Sequence, residues 1–152
     1  MSQRDVGLIL MRQLAAGLAI PVLIVDETGQ LLFFNEPAEA LMGVRFDEFG
    51  DTPMADRLGA FELRDLHGHA VPAEDVPMYV AMRELRPVHR QLWGRGLDGA
   101  QHQLENTAFP LLGAGGHLIG AVSMFWERKA GQKHDHGEAH DTVGTAWRPD
   151  VN

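Results

Sequence analysis

The sequence contains no cysteine. That absence excludes disulfides, thiolate zinc sites, thiol nucleophiles and cysteine-linked cofactors. Long hydrophobic runs are missing too. No apolar stretch approaches the roughly 20 residues of a membrane span, and MSQRDVGLIL lacks the basic segment and small-residue cleavage site of a secretory signal. The expectation is a cytoplasmic protein without membrane contact. Serine occurs only at Ser2 and Ser123, neither in a G-x-S-x-G elbow, and no H-E-x-x-H is present. Gly113-Ala114-Gly115-Gly116 joins two strand-like runs instead of opening a helix, so it is no phosphate cradle. The carboxylates near 47–56 offer no paired acid and base. No catalytic residue is expected, and the chain does not read as an enzyme.

Basic charge is scarce and unevenly placed. The 13 Lys+Arg face 21 Asp+Glu, for a formal charge of −8. Residues 26–75 carry twelve acidic side chains against Arg45, Arg57 and Arg64, a local balance of −9. A nucleic-acid binder needs a basic face to displace phosphate counterions, and none is supplied here. Nucleic acid is therefore not an expected partner, and the acidic stretch reads as solvated surface.

What is present fits one globular domain: 152 residues, 45% hydrophobic. Residues 3–19 read as a helix, in which Leu10, Met11, Leu14 and Leu18 form an apolar stripe. On a heptad, Gly7, Met11, Leu14 and Leu18 take positions a and d, but over only about two heptads. Two placements stay open: a helix folded over its own domain, or a dimer seam built from that stripe.

Pro21 stops this helix. Val22–Val25 and Leu31–Phe34 are short apolar runs around Asp26-Glu27-Thr28-Gly29, which reads as an antiparallel hairpin. Asn35 is placed to cap a short helix, EPAEALM, with Pro37 in its first turn and Gly43 beyond its end. Residues 44–60 read as irregular, with room for one helical turn around Met54–Leu58. A second turn, Asp65-Leu66-His67-Gly68, follows. Pro72–Arg86 reads as one helix with Pro77 near its start, acidic first and basic last. Three strand-like segments, Val88–Gly94, Gln101–Leu111 and Leu118–Trp126, are separated by Gly-containing turns. Pro110 is expected to end the regular ladder of its strand. From Glu127 the chain turns polar, with no apolar period, and reads as a disordered tail.

The order of hairpin, short helices, longer helix and three antiparallel strands resembles a PAS domain. The likeness is carried by PVLIVDETGQLLFFNEPAEALMG (21–43), HGHAVPAEDVPMYVAMREL (67–85) and LDGAQHQLENTAFPLLGAGGHLIGAVSMFWE (97–127). It implies an α+β fold with a five-stranded antiparallel sheet, short helices on one face and an N-terminal flanking helix. The implied organisation is a helix over 1–19, a PAS domain over 20–127 and a polar tail over 128–152. The resemblance also implies a sensory or interaction module whose cavity, between sheet and longer helix, holds haem, flavin, a fatty acid, a small carboxylate or nothing. Cysteinyl-flavin photochemistry is excluded, since there is no cysteine. Haem is not expected, because the longer helix has no histidine and His89 lies just beyond it on a strand.

By strand parity and analogy with related sheets, Leu23, Val25, Leu104, Asn106, Ala108, Val122 and Met124 are expected to face inward, covered by Tyr79 and Met82. Such a lining suits a small apolar ligand with one polar end, held by Asn106 or Tyr79, and equally a self-packed core. Both readings stay open. Among the eight histidines, Asp65-x-His67-x-His69 is interrupted by Gly68, and His134, His136 and His140 are weak metal candidates in the tail. PAS domains commonly end in a D-x-T turn, and here Glu127 is followed by no threonine. With no effector domain after it, the expected output runs in trans, through a homodimer or a partner signalling protein.

Overall fold

The computed structural model describes the backbone of residues 3–50 and 53–128, and the side chains of 6–50 and 53–128. Five strands form one antiparallel sheet: β1 (Val22–Asp26), β2 (Leu31–Phe34), β3 (Val88–Arg95), β4 (Gln101–Leu112) and β5 (Leu118–Glu127), in the order β2-β1-β5-β4-β3. Five short α-helices accompany it: α1 (Gln3–Ala16), α2 (Glu36–Met42), α3 (Phe46–Phe49), α4 (Met54–Arg57) and α5 (Pro77–Glu84).

The local reasons are visible at each junction. In the β1–β2 turn, one Asp26 carboxylate oxygen accepts from the Thr28 hydroxyl and the backbone N–H of Thr28 and Gln30. Gly29 follows at φ 82, a conformation L side chains rarely adopt. A Cβ there would also lie 3.0 Å from the Tyr79 ring. Asn35 caps α2 through its side-chain oxygen, which accepts from Ala38 N–H, and Gly43 closes the helix in the left-handed region.

The same Asn35 does more than cap. Its oxygen also accepts from Val22 N–H at 3.0 Å, and its amide group donates to the carbonyls of Ala15 (2.9 Å) and Ile20 (2.8 Å). One fully buried side chain thus ties the last turn of α1, the start of β1 and the start of α2 together.

The expected long helix is interrupted. Ala73–Asp75 is a 3-10 turn, Val76 is extended at ψ 136, and α5 begins at Pro77. Proline disfavours the helical region for the residue before it, so Val76 is forced out and Pro77 becomes the first helical residue. Residues 44–60 are correspondingly more helical than expected, with α3, α4 and a 3-10 turn at Leu58–Phe61. β4 also runs past Pro110, which pairs with Ala121 of β5; the ladder to β3 has already ended at Val88 opposite Ala108.

Two apolar clusters lie on opposite faces of the sheet. The larger packs α2 to α5 against Leu23, Val25, Ala108 and Ala121. The smaller packs α1, through Leu8, Met11 and Ala15, and the following Leu18 against Val22, Ile24, Val122 and Met124. The flanking helix therefore folds over its own sheet. Its other side stays exposed at Val6, Ile9, Leu10 and Leu14.

Candidate ligand cavity

Between the sheet and the α2–α5 layer lies a cavity of about 90 Å³. β1 contributes Leu23, β3 Leu92 and Gly94, β4 His102, Leu104 and Asn106, and β5 Ser123 and Phe125. Leu41, Met42, Met54, Leu58, Phe61, Leu63, Val76 and Met78 close it from the helical side. Its rim reaches solvent at Arg95, whose guanidinium lies 3.4 Å from the Glu62 carboxylate. A wider hollow of about 420 Å³ between Ala55–Leu63 and Arg64–Ala73 is mostly rimmed by exposed residues and is a surface concavity.

The expected lining is partly redistributed. Leu23, Leu104 and Asn106 line the cavity. Val25, Ala108 and Met82 belong to the same apolar cluster but pack away from the void. Val122 and Met124 correct the expectation outright, because they face α1 on the opposite side of the sheet. The register gives the reason: Leu23 pairs with Ser123, and Asn106 pairs with Phe125, so the odd residues of β5 face inward. Tyr79 also leaves the lining. Its ring sits against Gly29, and its buried hydroxyl, close to the Ala55 backbone, completes no hydrogen bond of good geometry among the described residues. Burial and the nearby Asp56 carboxylate raise the Tyr79 pKa, only partly offset by the Ala55 backbone.

Polar chemistry enters at two points. Asn106 donates to the Ser123 hydroxyl oxygen (2.8 Å) and to the Met124 carbonyl (3.0 Å), which leaves the Ser123 O–H free to donate. His102 stands four residues earlier on β4, on the same face. Its Nδ1 is 2.9 Å from the Glu127 carboxylate, while Nε2 is buried without a partner among the described residues. Sequence reading passed over His102, Ser123 and Phe125. The alternation that points Leu104, Asn106 and Ala108 inward applies equally to His102.

His89 lies on the other face of β3 from Leu92 and Gly94. Its Nε2 is 2.7 Å from Glu105, and its ring is near Trp126, so it does not address the cavity. In the 65–69 turn, Asp65 accepts from the backbone N–H of His67 and His69 and lies 3.3 Å from the His69 ring. Desolvation pushes this carboxyl upward, but those bonds and the His69 charge outweigh it and hold Asp65 below its ordinary value. The two imidazoles stand 6.2 Å apart, and no group of three or more potential metal ligands converges among the described residues. His134, His136 and His140 lie outside the described residues. Among the described residues, no helix is long and apolar enough to cross a membrane.

No family model and no curated protein matches this sequence. Solved structures do match. The PAS domain of BvgS from Bordetella pertussis superposes with a TM-score of 0.56 at 18% identity, over 81% of this chain and 86% of that one. The PAS domain of nitrogen regulation protein NR(II) from Vibrio parahaemolyticus gives 0.52 at 16%, over 76% and 95%. The PAS domain of the fruit-fly ELK potassium channel gives 0.61 at 8%, over 79% and 95%. At such identities the agreement is one of backbone architecture, and on that architecture the chain has the fold of a PAS domain.

Proposed function

We propose that this chain is a sensory module that binds a small, mainly apolar molecule in the cavity and passes the signal in trans. The observation that carries the reading is the void itself. It is walled by Leu23, Leu58, Leu104, Phe125 and three methionines, with Asn106, Ser123 and His102 as polar residues in the same lining. A mainly apolar cavity with a few convergent polar groups is the usual form of a small-molecule site. Neighbours of the same fold are PAS domains of a nitrogen regulation protein and of BvgS.

Output in trans has its own support. Val6, Ile9, Leu10 and Leu14 make an exposed apolar stripe at helical spacing along α1, on the side turned away from the sheet. A homodimer pairing this stripe buries it, and α1 is tied through Asn35 to β1, whose Leu23 lines the cavity. The same stripe favours a second reading, a ligand-free scaffold for homodimerisation. The two are separated by Leu104→Trp, which puts an indole into the cavity. Solvent extraction of freshly purified wild type is expected to release a small molecule, and the variant, at unchanged thermal stability, to release little. Equal content in both, or none in either, overturns the cavity as a ligand site and leaves the scaffold.

A further inference from the structure

The cavity between the sheet and the α2–α5 layer is too small for most organic molecules. An apolar cavity of ~150 Å³ takes benzene, which is roughly 25 Å³ for each non-hydrogen atom. On that scale a void of about 90 Å³ holds roughly three or four such atoms. The surface hollow has about 420 Å³, within the ~300–1,000 Å³ of ordinary ligand sites, but it is open to water. The two voids share a wall. Among the described residues, Leu58 and Leu63 line both of them, and no other residue does.

We infer that the cavity and the hollow are two halves of one ligand site, with Leu58 as the gate between them. This rests on the cavity being a ligand site, as proposed above. The ligand is a mainly apolar molecule too large for the cavity alone. Its apolar end lies inside, and its polar end lies at the hollow, where Glu62 and Arg64 stand in the lining and water has access. The two residues of the shared wall are held differently. Leu63 is fixed: its carbonyl accepts from Val71 N–H at 2.9 Å, and the adjacent Arg64 exchanges backbone bonds with Trp93 at 2.9 and 2.8 Å. Leu58 opens the 3-10 turn Leu58–Phe61, whose bonds are local, from Leu58 N–H to Met54 and from Glu62 N–H to Gly59. Hydrogen-bond geometry in such turns is poorer than in an α-helix, and Gly59 inside this one weakens it further. Glu62, at the joint between the turn and Leu63, is a non-glycine residue at φ 46, a conformation that stores strain. Rotation at this joint releases that strain and moves Leu58 while Leu63 stays in place.

The test uses two probes of different size, xenon and N-phenyl-1-naphthylamine, on the full chain. Xenon, a single atom, enters small apolar cavities, whereas the naphthylamine with its three aromatic rings exceeds the closed cavity. Binding is read from the 13C-methyl resonances of Met42, Met54 and Met78 at the cavity, and of Ala55 and Ala70 at the hollow. In wild type, xenon is expected to shift the methionines alone, and the naphthylamine to shift both sets with one dissociation constant. Gly59→Trp fills the hollow; a Cβ at Gly59 meets nothing within 4 Å, so the fold has room for it. In this variant the naphthylamine is expected to bind at least tenfold more weakly, with the xenon shifts unchanged. Leu58→Ala, which removes the gate, is expected to speed naphthylamine association about tenfold or more, since the open form no longer has to be selected. Naphthylamine shifts confined to the alanines, or absent from both sets, overturn the joint site, as does an affinity untouched by Gly59→Trp. In each of those cases the xenon shifts keep the cavity reading. An association rate unchanged in a folded Leu58→Ala overturns the gate. If xenon moves no methionine methyl in wild type, the cavity reading itself fails, and the joint site with it.

Discussion

Replacing Asn35 by alanine is expected to cost about 3–5 kcal/mol, far more than the loss of an ordinary helix cap. A cap alone contributes roughly 0.5–2 kcal/mol. Asn35, however, satisfies two N–H groups, of Val22 and Ala38, and two carbonyls, of Ala15 and Ile20, at 2.8–3.1 Å, and it is 1% exposed. Each buried backbone group left unsatisfied costs roughly 1–3 kcal/mol. Water entering the vacated space recovers part of that for Ile20, whose bond is only partly buried. For a domain of this size, 3–5 kcal/mol corresponds to a fall of about 10–20 °C in Tm. Urea denaturation measures the energy, and native-state hydrogen exchange locates it. The α1 amides are expected to lose more protection than those of β3 and β4, because the Ala15 and Ile20 carbonyls anchor the end of α1. A loss under about 1 kcal/mol, or protection lost evenly across the chain, refutes the reasoning.

Other substitutions test other parts of the account. Tyr79→Phe removes a buried hydroxyl that completes no hydrogen bond of good geometry among the described residues, only a poor one near the Ala55 backbone, so urea denaturation should show stability unchanged or raised by up to about 1 kcal/mol. A loss above 1 kcal/mol would mean that the hydroxyl is satisfied after all. The Asp65 carboxyl is held below the ordinary carboxyl value of 3.8, so the 65–69 turn is fully supported above that pH and loosens as pH falls through the lower folded value. The amide resonances of His67 and His69 should therefore titrate with a midpoint below 3.8; a midpoint at or above it contradicts the assigned bonds. Leu10→Glu with Leu14→Glu places charge on the exposed side of α1, where the two leucines are 59% and 55% exposed. If this stripe is a dimer seam, analytical ultracentrifugation should show a dimer for wild type and a monomer for the variant, with far-UV circular dichroism unchanged. A monomeric wild type, or a dimer that survives both charges, removes the helix from the interface.

Much of this structure was legible in the residues, and the parts that were not share a cause. Val22–Val25 and Leu31–Phe34 announce a hairpin through β-branched and aromatic runs around an Asp…Gly turn, and Asn35, Pro37 and Gly43 bracket α2. The facing of β4 follows from its alternation, since Leu104, Asn106 and Ala108 sit among partly polar neighbours. β5 gave no such signal. Ile119 through Ser123 are buried without interruption, because α1 covers one face and the α2–α5 layer the other. A strand buried on both faces has no alternation to read, and only its register with β1 and β4 shows that Ser123 and Phe125, not Val122 and Met124, face the void.

The N-terminal helix failed to declare its inner side for a related reason. Val6, Leu8, Ile9, Leu10, Met11, Leu14 and Leu18 go most of the way round its circumference, so an apolar stripe could be drawn in more than one direction. The structure divides the expected seam. Met11 and Leu18 pack on the sheet, while Leu10 and Leu14 remain outside with Val6 and Ile9. On α5 it is Met78 that reaches the cavity, while Met82, one turn on along the same face, and Tyr79 pack against the surrounding cluster. His102 was missed although its parity was readable, because a strand histidine carries no mark of being partnered on one nitrogen only.

Native mass spectrometry of freshly purified protein, set beside its denatured mass, tests the central claim most directly. The account predicts a dimer carrying a non-covalent small molecule that leaves on denaturation. A dimer or monomer of bare chain mass under gentle ionisation contradicts it.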